Sequence, residues 1–336
     1  MYKVESYING QSSSESNNSG KIYNPSYGTE IGEVLYSTND VAYKAVESAY
    51  QASKSWSKTG LSFRAELILK FRQGVINRSK EIIDICISEA GKTRPDAEAE
   101  LDRAVQALTH AAGVQHFYPS NYSQNVAGGI DIADLRFPIG VIAGVGPFNF
   151  PILIPILHSA MALVTGNTYI AKPSEKVPSI SRLYADIWNE AGLPDGCYNV
   201  VHGEKEIVEL LVKHEKVDGL AFIGSTVAAK SLKMLGVEHN TKVQALGGGK
   251  NHMIVLPDAD LDMSADAAVS ASFGAAGQRC MAVSVVVAVG DIADELISKI
   301  QSRMPDLIMG VTDDEKTQLG PVISQANKDK IYSFID

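Results

Sequence analysis

Residues 140–226 read GVIAGVGPFNFPILIPILHSAMALVTGNTYIAKPSEKVPSISRLYADIWNEAGLPDGCYNVVHGEKEIVELLVKHEKVDGLAFIGST. Short apolar runs alternate in this stretch with longer segments whose apolar residues recur at helical spacing. The pattern predicts strands at Val141–Val145, Thr168–Lys172, Tyr198–Val201 and Leu220–Ile223, separated by helices through 152–164, 179–191 and 204–214. Strands alternating with helices of this length make a parallel, doubly wound sheet with right-handed crossovers. Ligands in such sheets sit at the carboxyl ends of the strands.

Working outward, a strand at His252–Leu256, a helix opened by PDADLD and a strand at Ser284–Val289 predict a second α/β unit after Gly247. Toward the N-terminus, 40–58 and 61–113 carry apolar and charged positions at helical spacing. Residues 117–140 change character: Tyr118, Pro119, Tyr122, a Gly128-Gly129 turn and the alternating Ile130–Phe137 predict a hairpin or ribbon, an interaction arm rather than core. Residues 11–20, QSSSESNNSG, read as a polar, turn-rich patch between two short strand-like pieces.

The 336 residues are 45% hydrophobic and 21% charged, ordinary globular material for about two domains. A formal charge of -9 is spread along the chain without a basic block, which argues against a nucleic-acid partner. The start, MYKVESYINGQ, has neither the charged and apolar regions of a signal peptide nor the Arg-rich character of a transit peptide, so a soluble, cytoplasmic protein is expected. The longest apolar stretch, Phe148 to Val164, falls short of a membrane span and carries Pro151, Pro155 and His158, which suit a buried helix; no membrane partner is expected. Cys86, Cys197 and Cys280 are odd in number and lack CxxC spacing, so neither a disulfide framework nor a metal site is expected.

Three strand ends carry polar residues where a purely structural strand would simply turn: PFNFP (147–151), AKPSE (171–175) and FIGST (222–226). Alone, each is an ordinary turn or helix N-cap. Followed in order by LGGGKN (246–251) and GQRC (277–280), they form a set of five motifs that resembles the aldehyde dehydrogenase superfamily, from SYING (6–10) to GPVIS (320–324).

The resemblance implies a nucleophile at Cys280: a thiolate adds to an aldehyde, hydride leaves to a nicotinamide, and a thioester remains. Cys86 and Cys197 lie in apolar, patterned segments and read instead as small buried hydrophobes. Asn149 stands where the family places the side-chain amide that joins the Cys backbone N–H in stabilising the oxyanion. Phe148, Lys172, Glu175, Gly224 and Ser225 match cofactor-binding positions. Lys172 and Glu175 would meet the adenosine ribose, the carboxylate favouring NAD over NADP, and Gly224 and Ser225 would open a helix toward the pyrophosphate. The family commonly has a second Gly at the place of Ala229.

The departure is KVQALGGGKN (242–251). Most members carry a Glu just before Leu-Gly-Gly that activates a hydrolytic water, and that place reads as Ala245, preceded by Gln244. Without the base, a thiol such as coenzyme A is the expected acyl acceptor. This resembles the CoA-acylating methylmalonate-semialdehyde branch, as do GQRCMAVS and KNHMIVLPDADLD, and that branch sets two arginines against the substrate carboxylate, at the places of Arg103 and Arg279. The implied reaction takes a small semialdehyde (methylmalonate or malonate), NAD and CoA to propionyl-CoA or acetyl-CoA, CO₂ and NADH.

The implied fold is an aldehyde dehydrogenase-like α/β architecture. A Rossmann-like NAD-binding domain spans 1–246, interrupted by an oligomerisation arm at about 117–140. Residues 247–336 are expected to be the N-terminal part of an incomplete α/β catalytic domain. Full-length members form homo-oligomers, and the chain as given is expected not to turn over alone. Two alternatives stand beside this reading. One is an aldehyde dehydrogenase for a different small aldehyde, distinguished by whether Arg103 and Arg279 converge near Cys280; the other is a catalytically silent homologue.

Overall fold

The computed structural model describes residues 1–117 and 120–335; Tyr118 and Pro119 of the expected arm lie outside them. Five strands, β1 (Tyr2–Val4), β2 (Ser6–Ile8), β3 (Gln11–Ser13), β4 (Ser16–Asn24) and β5 (Thr29–Ser37), open the chain. Helices α1 (Asn39–Trp56), α2 (Leu61–Asn77), α3 (Ser79–Ala90), α4 (Arg94–Ala112) and the short α5 (Val114–Phe117) follow, then a ribbon of β6 (Tyr122–Ala127) and β7 (Ile130–Ala133). The alternating stretch comprises β8 (Val141–Val145), α6 (Leu153–Val164), β9 (Thr168–Lys172), α7 (Ser179–Glu190), β10 (Tyr198–Val200), α8 (Lys205–Lys213), β11 (Gly219–Ile223), α9 (Thr226–His239) and β12 (Lys242–Leu246). After it come β13 (Asn251–Val255), α10 (Leu261–Phe273), β14 (Val283–Ala288), α11 (Ala293–Arg303) and α12 (Gln325–Tyr332).

The main sheet has the order β12-β11-β8-β9-β10-β2-β3. Its first five strands are mutually parallel, and β2 joins β10 antiparallel. The strand order reverses at β8, which has β9 on one side and β11 on the other, so a crevice opens there. Val145 pairs with Lys172 on β9 and with Phe222 on β11. Parallel register therefore sets the segments that follow the three strands side by side, roughly 5 Å apart per strand. Helices cover both faces. On one, Ala42, Ala45, Val46 and Ala49 of α1 form a buried stripe against Val141, Ala143 and Ile170. On the other, Phe71 of α2 stacks on Trp188 of α7 at 3.7 Å in the same cluster as Leu163 and Tyr169, and burying each such side chain contributes about 1.5–3 kcal/mol.

One expectation changes. Residues 11–20 are mostly strand, since β3 pairs with β2 and β4 begins at Ser16 against β5. Their side chains are largely exposed and only Ile22 of β4 is buried, so backbone pairing alone makes them strand and no apolar alternation announces it. The helix expected through 152–164 is α6, and the apolar residues from Phe148 to Ile152 precede it without joining it. The expected ribbon is present as the antiparallel pair β6–β7, with Tyr122, Val126, Ile130 and Ile132 exposed. Among the described residues no helix is long and apolar enough to cross a membrane. The parallel pair β13–β14 forms its own small sheet, with Val255, Ala265 and Leu296 in a separate cluster.

A buried carboxyl ties the N-terminal strand to the sheet's helices. Glu89 on α3 accepts from the Tyr2 hydroxyl, the Ser179 hydroxyl and the Ser179 backbone N–H. Burial pushes its pKa from 4.5 up to about 7 against those hydrogen bonds. A carboxyl raised in the folded state binds more protons there than when unfolded, so its contribution to stability is present below pH 4.5 and is lost as pH rises through 7. Glu89→Gln cannot ionise. Relative to the parent, its stability should therefore rise by up to about 3 kcal/mol between pH 4.5 and 7, read from urea midpoints. His202, pushed down to about 3 by burial, has the opposite slope and is common to both proteins, so it cancels in the difference. A difference that does not change with pH would mean that Glu89 stays charged.

Candidate active site

PFNFP follows β8, and its Asn149 crosses to the second α/β unit, donating from Nδ2 to the Gln278 carbonyl at 2.8 Å. This hydrogen bond brings the expected oxyanion donor to within two residues of the expected nucleophile. Asn251, the first residue of β13, donates to the carbonyls of Cys280 (2.9 Å) and Ala282 (3.0 Å). Two asparagine amides therefore grip the chain on either side of the Cys280 thiol. The Gln278 side chain fixes the same turn from the far side by accepting from Ile323 N–H at 2.9 Å within GPVIS.

The turn itself is strained. Ala275 and Ala276 take left-handed φ values of +52° and +54°, followed by Gly277 at +69°, and an alanine held there costs about 1–2 kcal/mol. Such strain persists only where the surroundings over-determine the backbone, and it clusters at functional sites. The three cysteines differ as their sequence settings suggest. Cys86 and Cys197 are fully buried, and burial pushes the Cys86 thiol up and that of Cys197 up to about 12. Cys280 is exposed.

At the carboxyl end of β9, Lys172 is buried and its ammonium lies 3.8 Å from the Glu175 carboxylate. Burial depresses the Lys172 pKa, while Glu175 and Glu204 pull it back. Phe148 lies under the Lys176 ammonium, 5.3 Å from its ring centre. After β11, Gly224 N–H is taken by the Leu246 carbonyl and the Ser225 hydroxyl caps α9 by accepting from Ala228 N–H at 3.3 Å. The Thr226 and Val227 amides remain as the donors that a helix N-terminus offers an anion. Ala229 is buried in the core beneath α9, so its methyl group faces the sheet rather than those amides.

On β12, alternation turns Ala245 toward the core cluster and leaves Gln244 and Leu246 exposed, Leu246 by 51%. A general base on this strand would therefore stand at 246 rather than 245. Neither position, nor any other in 242–251, is acidic.

The two arginines are not joined by a described contact. Arg279 pairs with Asp96 in the first turn of α4, and its guanidinium lies so close over Gly274 that a Cβ there would collide with it. Arg103, exposed on the same helix, donates to Gln106 at 3.1 Å. Seven residues separate Asp96 from Arg103, which puts both on one face of α4 about 10 Å apart along its axis. Arg279 also lines a cavity of about 370 Å³ whose second arginine is Arg303, itself held by Asp262 and Asp266. Gln278, Asn251, Asp96 and Arg303 were not singled out by the sequence; only Asn251 and Gln278 lay inside quoted motifs.

Residues 12–336 match the family model described as the aldehyde dehydrogenase family. A malonate-semialdehyde dehydrogenase of Bacillus pumilus (strain SAFR-032) is 37% identical over 333 residues, covering 99% of this chain and 68% of its own length. One of Pseudomonas aeruginosa is 38% identical over 337 residues, covering 100% and 68%. Among solved structures, the methylmalonate-semialdehyde dehydrogenase of Oceanimonas doudoroffii superposes with a TM-score of 0.97 at 37% identity, over 100% of this chain and 69% of its own. A protein of Sinorhizobium meliloti 1021 assigned to the same activity, solved with NAD, gives 0.96 at 37% identity over the same shares.

Proposed function

Because this chain belongs to the aldehyde dehydrogenase family and is thus an oxidoreductase, we propose that it oxidises a carboxylated semialdehyde to an acyl thioester on Cys280 and passes the acyl group to CoA. The observation that carries this is the 2.8 Å hydrogen bond from Asn149 to the Gln278 carbonyl, which unites the oxyanion donor with the segment bearing the thiol. In this reading 1–246 form the cofactor-binding domain, 247–336 belong to the catalytic domain, and the β6–β7 ribbon joins subunits.

The donor set at the strand ends fits a dinucleotide. A buried lysine ammonium and a carboxylate beside it match a ribose diol, and the amides at the N-terminus of α9 match a pyrophosphate. When bound, NAD supplies the hydride acceptor. The chain's own residues do the rest: Lys172 and Glu175 hold the ribose, and the negative charge of Glu175 disfavours a 2′-phosphate. The Cys280 thiolate adds to the carbonyl carbon, while the Asn149 amide donates to the oxygen as charge develops on it.

Arg279 and Arg103 are proposed to receive the substrate carboxylate. Each replaced by Leu should lower kcat/KM for malonate semialdehyde by about 10- to 150-fold, the loss of a charged hydrogen bond, and leave propanal nearly unaffected, as followed by NADH absorbance. Equal losses for both aldehydes would overturn the assignment. One observation favours a second reading, an aldehyde without a carboxylate: the Arg279 guanidinium is already engaged by Asp96. Under that reading propanal would be turned over as well as the semialdehyde.

A further inference from the structure

The N-terminus of α6 has no cap of its own: Ile152 is its N-cap residue and makes no side-chain cap, and the residue before it is Pro151. The amides of Ile152 and Leu153 would be buried orphans. They donate instead to one oxygen of Glu100 on α4, at 2.8 Å each. The other oxygen of that carboxylate meets Lys92 Nζ at 2.6 Å, an ion pair whose side chains are 1% and 7% exposed. The same ammonium stands 4.3 Å from the centre of the Phe150 ring, the residue next to Asn149. Tyr184 completes the enclosure by donating to the Ile152 carbonyl at 3.0 Å.

A buried pair of charges is expensive to desolvate and by itself adds little stability. This one is placed where it fixes three of the four residues after Asn149: Phe150 through its ring, Ile152 and Leu153 through their amides. We propose that Glu100, with Lys92, is a positioning residue for the reaction: it anchors the 150–153 backbone so that the Asn149 amide is preorganised over the Cys280 segment. The inference rests on the reading of Asn149 as the oxyanion donor. A donor displaced by about 1 Å can lose on the order of 10² in rate, so anchoring at this distance is sufficient to matter.

The test separates oxyanion formation from thiol reactivity. p-Nitrophenyl acetate acylates a thiol through a tetrahedral oxyanion: the S–C bond forms, the ester C–O bond breaks, nitrophenolate leaves and the thiol proton passes to solvent. Iodoacetamide alkylates the same thiol without an oxyanion. Cys280 is the exposed cysteine of the three, so both reagents report on it. Asn149→Ala should slow the nitrophenolate burst by about 10²–10³-fold. Glu100→Gln and Lys92→Met should slow it by at least about tenfold, with alkylation unchanged. The Asn149→Ala/Glu100→Gln pair should be no slower than Asn149→Ala alone, because Glu100 acts through Asn149.

Parallel losses of acylation and alkylation in Glu100→Gln, or additive losses in the double variant, would overturn the proposal and make the pair merely structural. An unchanged burst in Asn149→Ala would overturn the oxyanion reading itself, a failure that this variant alone reveals. If Glu100→Gln does not fold, Phe150→Leu removes the ring beneath Lys92 and leaves the carboxylate in place. It should slow acylation selectively, and no change in it overturns the proposal.

Discussion

Replacing Cys280 by Ala should abolish thioester formation, lowering NADH production by on the order of 10⁴–10⁶-fold, as the loss of a catalytic nucleophile does elsewhere. The expectation rests on a contrast within one chain. Cys86 and Cys197 lie in the core with their thiols pushed toward the neutral form by burial, whereas Cys280 is exposed between the Gln278 and Ala282 carbonyls, gripped by Asn149 and Asn251. Cys86→Ala and Cys197→Ala should move only the unfolding midpoint. Intact-mass measurement after a substrate-mimicking electrophile should find the adduct on Cys280, and an adduct chiefly on Cys86 would contradict the assignment.

The second large effect concerns the acyl group. Without CoA, release of free acid should be slower than with it by about 10²–10⁴-fold, the usual contribution of a general base. The segment 242–251 offers none, and strand alternation sharpens the point: Ala245 packs toward the core while Leu246 faces outward. Ala245→Glu should therefore act through stability, by pressing a carboxylate against apolar neighbours. Leu246→Glu places the carboxylate on the open face, where it can raise hydrolysis. Product analysis with and without CoA decides: rapid steady-state release of free acid by the parent chain would refute the CoA-acylating reading.

The βα alternation was legible because a buried parallel strand is apolar through its centre and a covering helix must show a stripe; Thr168–Lys172 is buried at every position and matches its expected bounds. The motifs at strand ends were legible because parallel register forces them to one edge. Other features left no trace. The strands within 11–20 carry polar side chains on exposed edges, so only their backbone pairing distinguishes them from a turn. The left-handed Ala275 and Ala276 break the rule that glycine or asparagine marks such backbone, and no composition signal could reveal them. Charged residues left little local signal as well. The place of Glu100 beneath α6 follows from how two helices pack rather than from local spacing. Likewise Asp96, which engages Arg279, is distant from it in sequence.

The seam between β2 and β10 has a consequence for how the chain is made. Tyr7 is opposite Val200, so β2, once synthesised, must await a partner nearly two hundred residues later. At about 5–20 residues per second, the nascent β2 waits on the order of 10–40 s before its place in the sheet exists. β10 must emerge first, so β2 is locked in only after a segment made later than itself. Birth order and assembly order run in opposite directions along this edge.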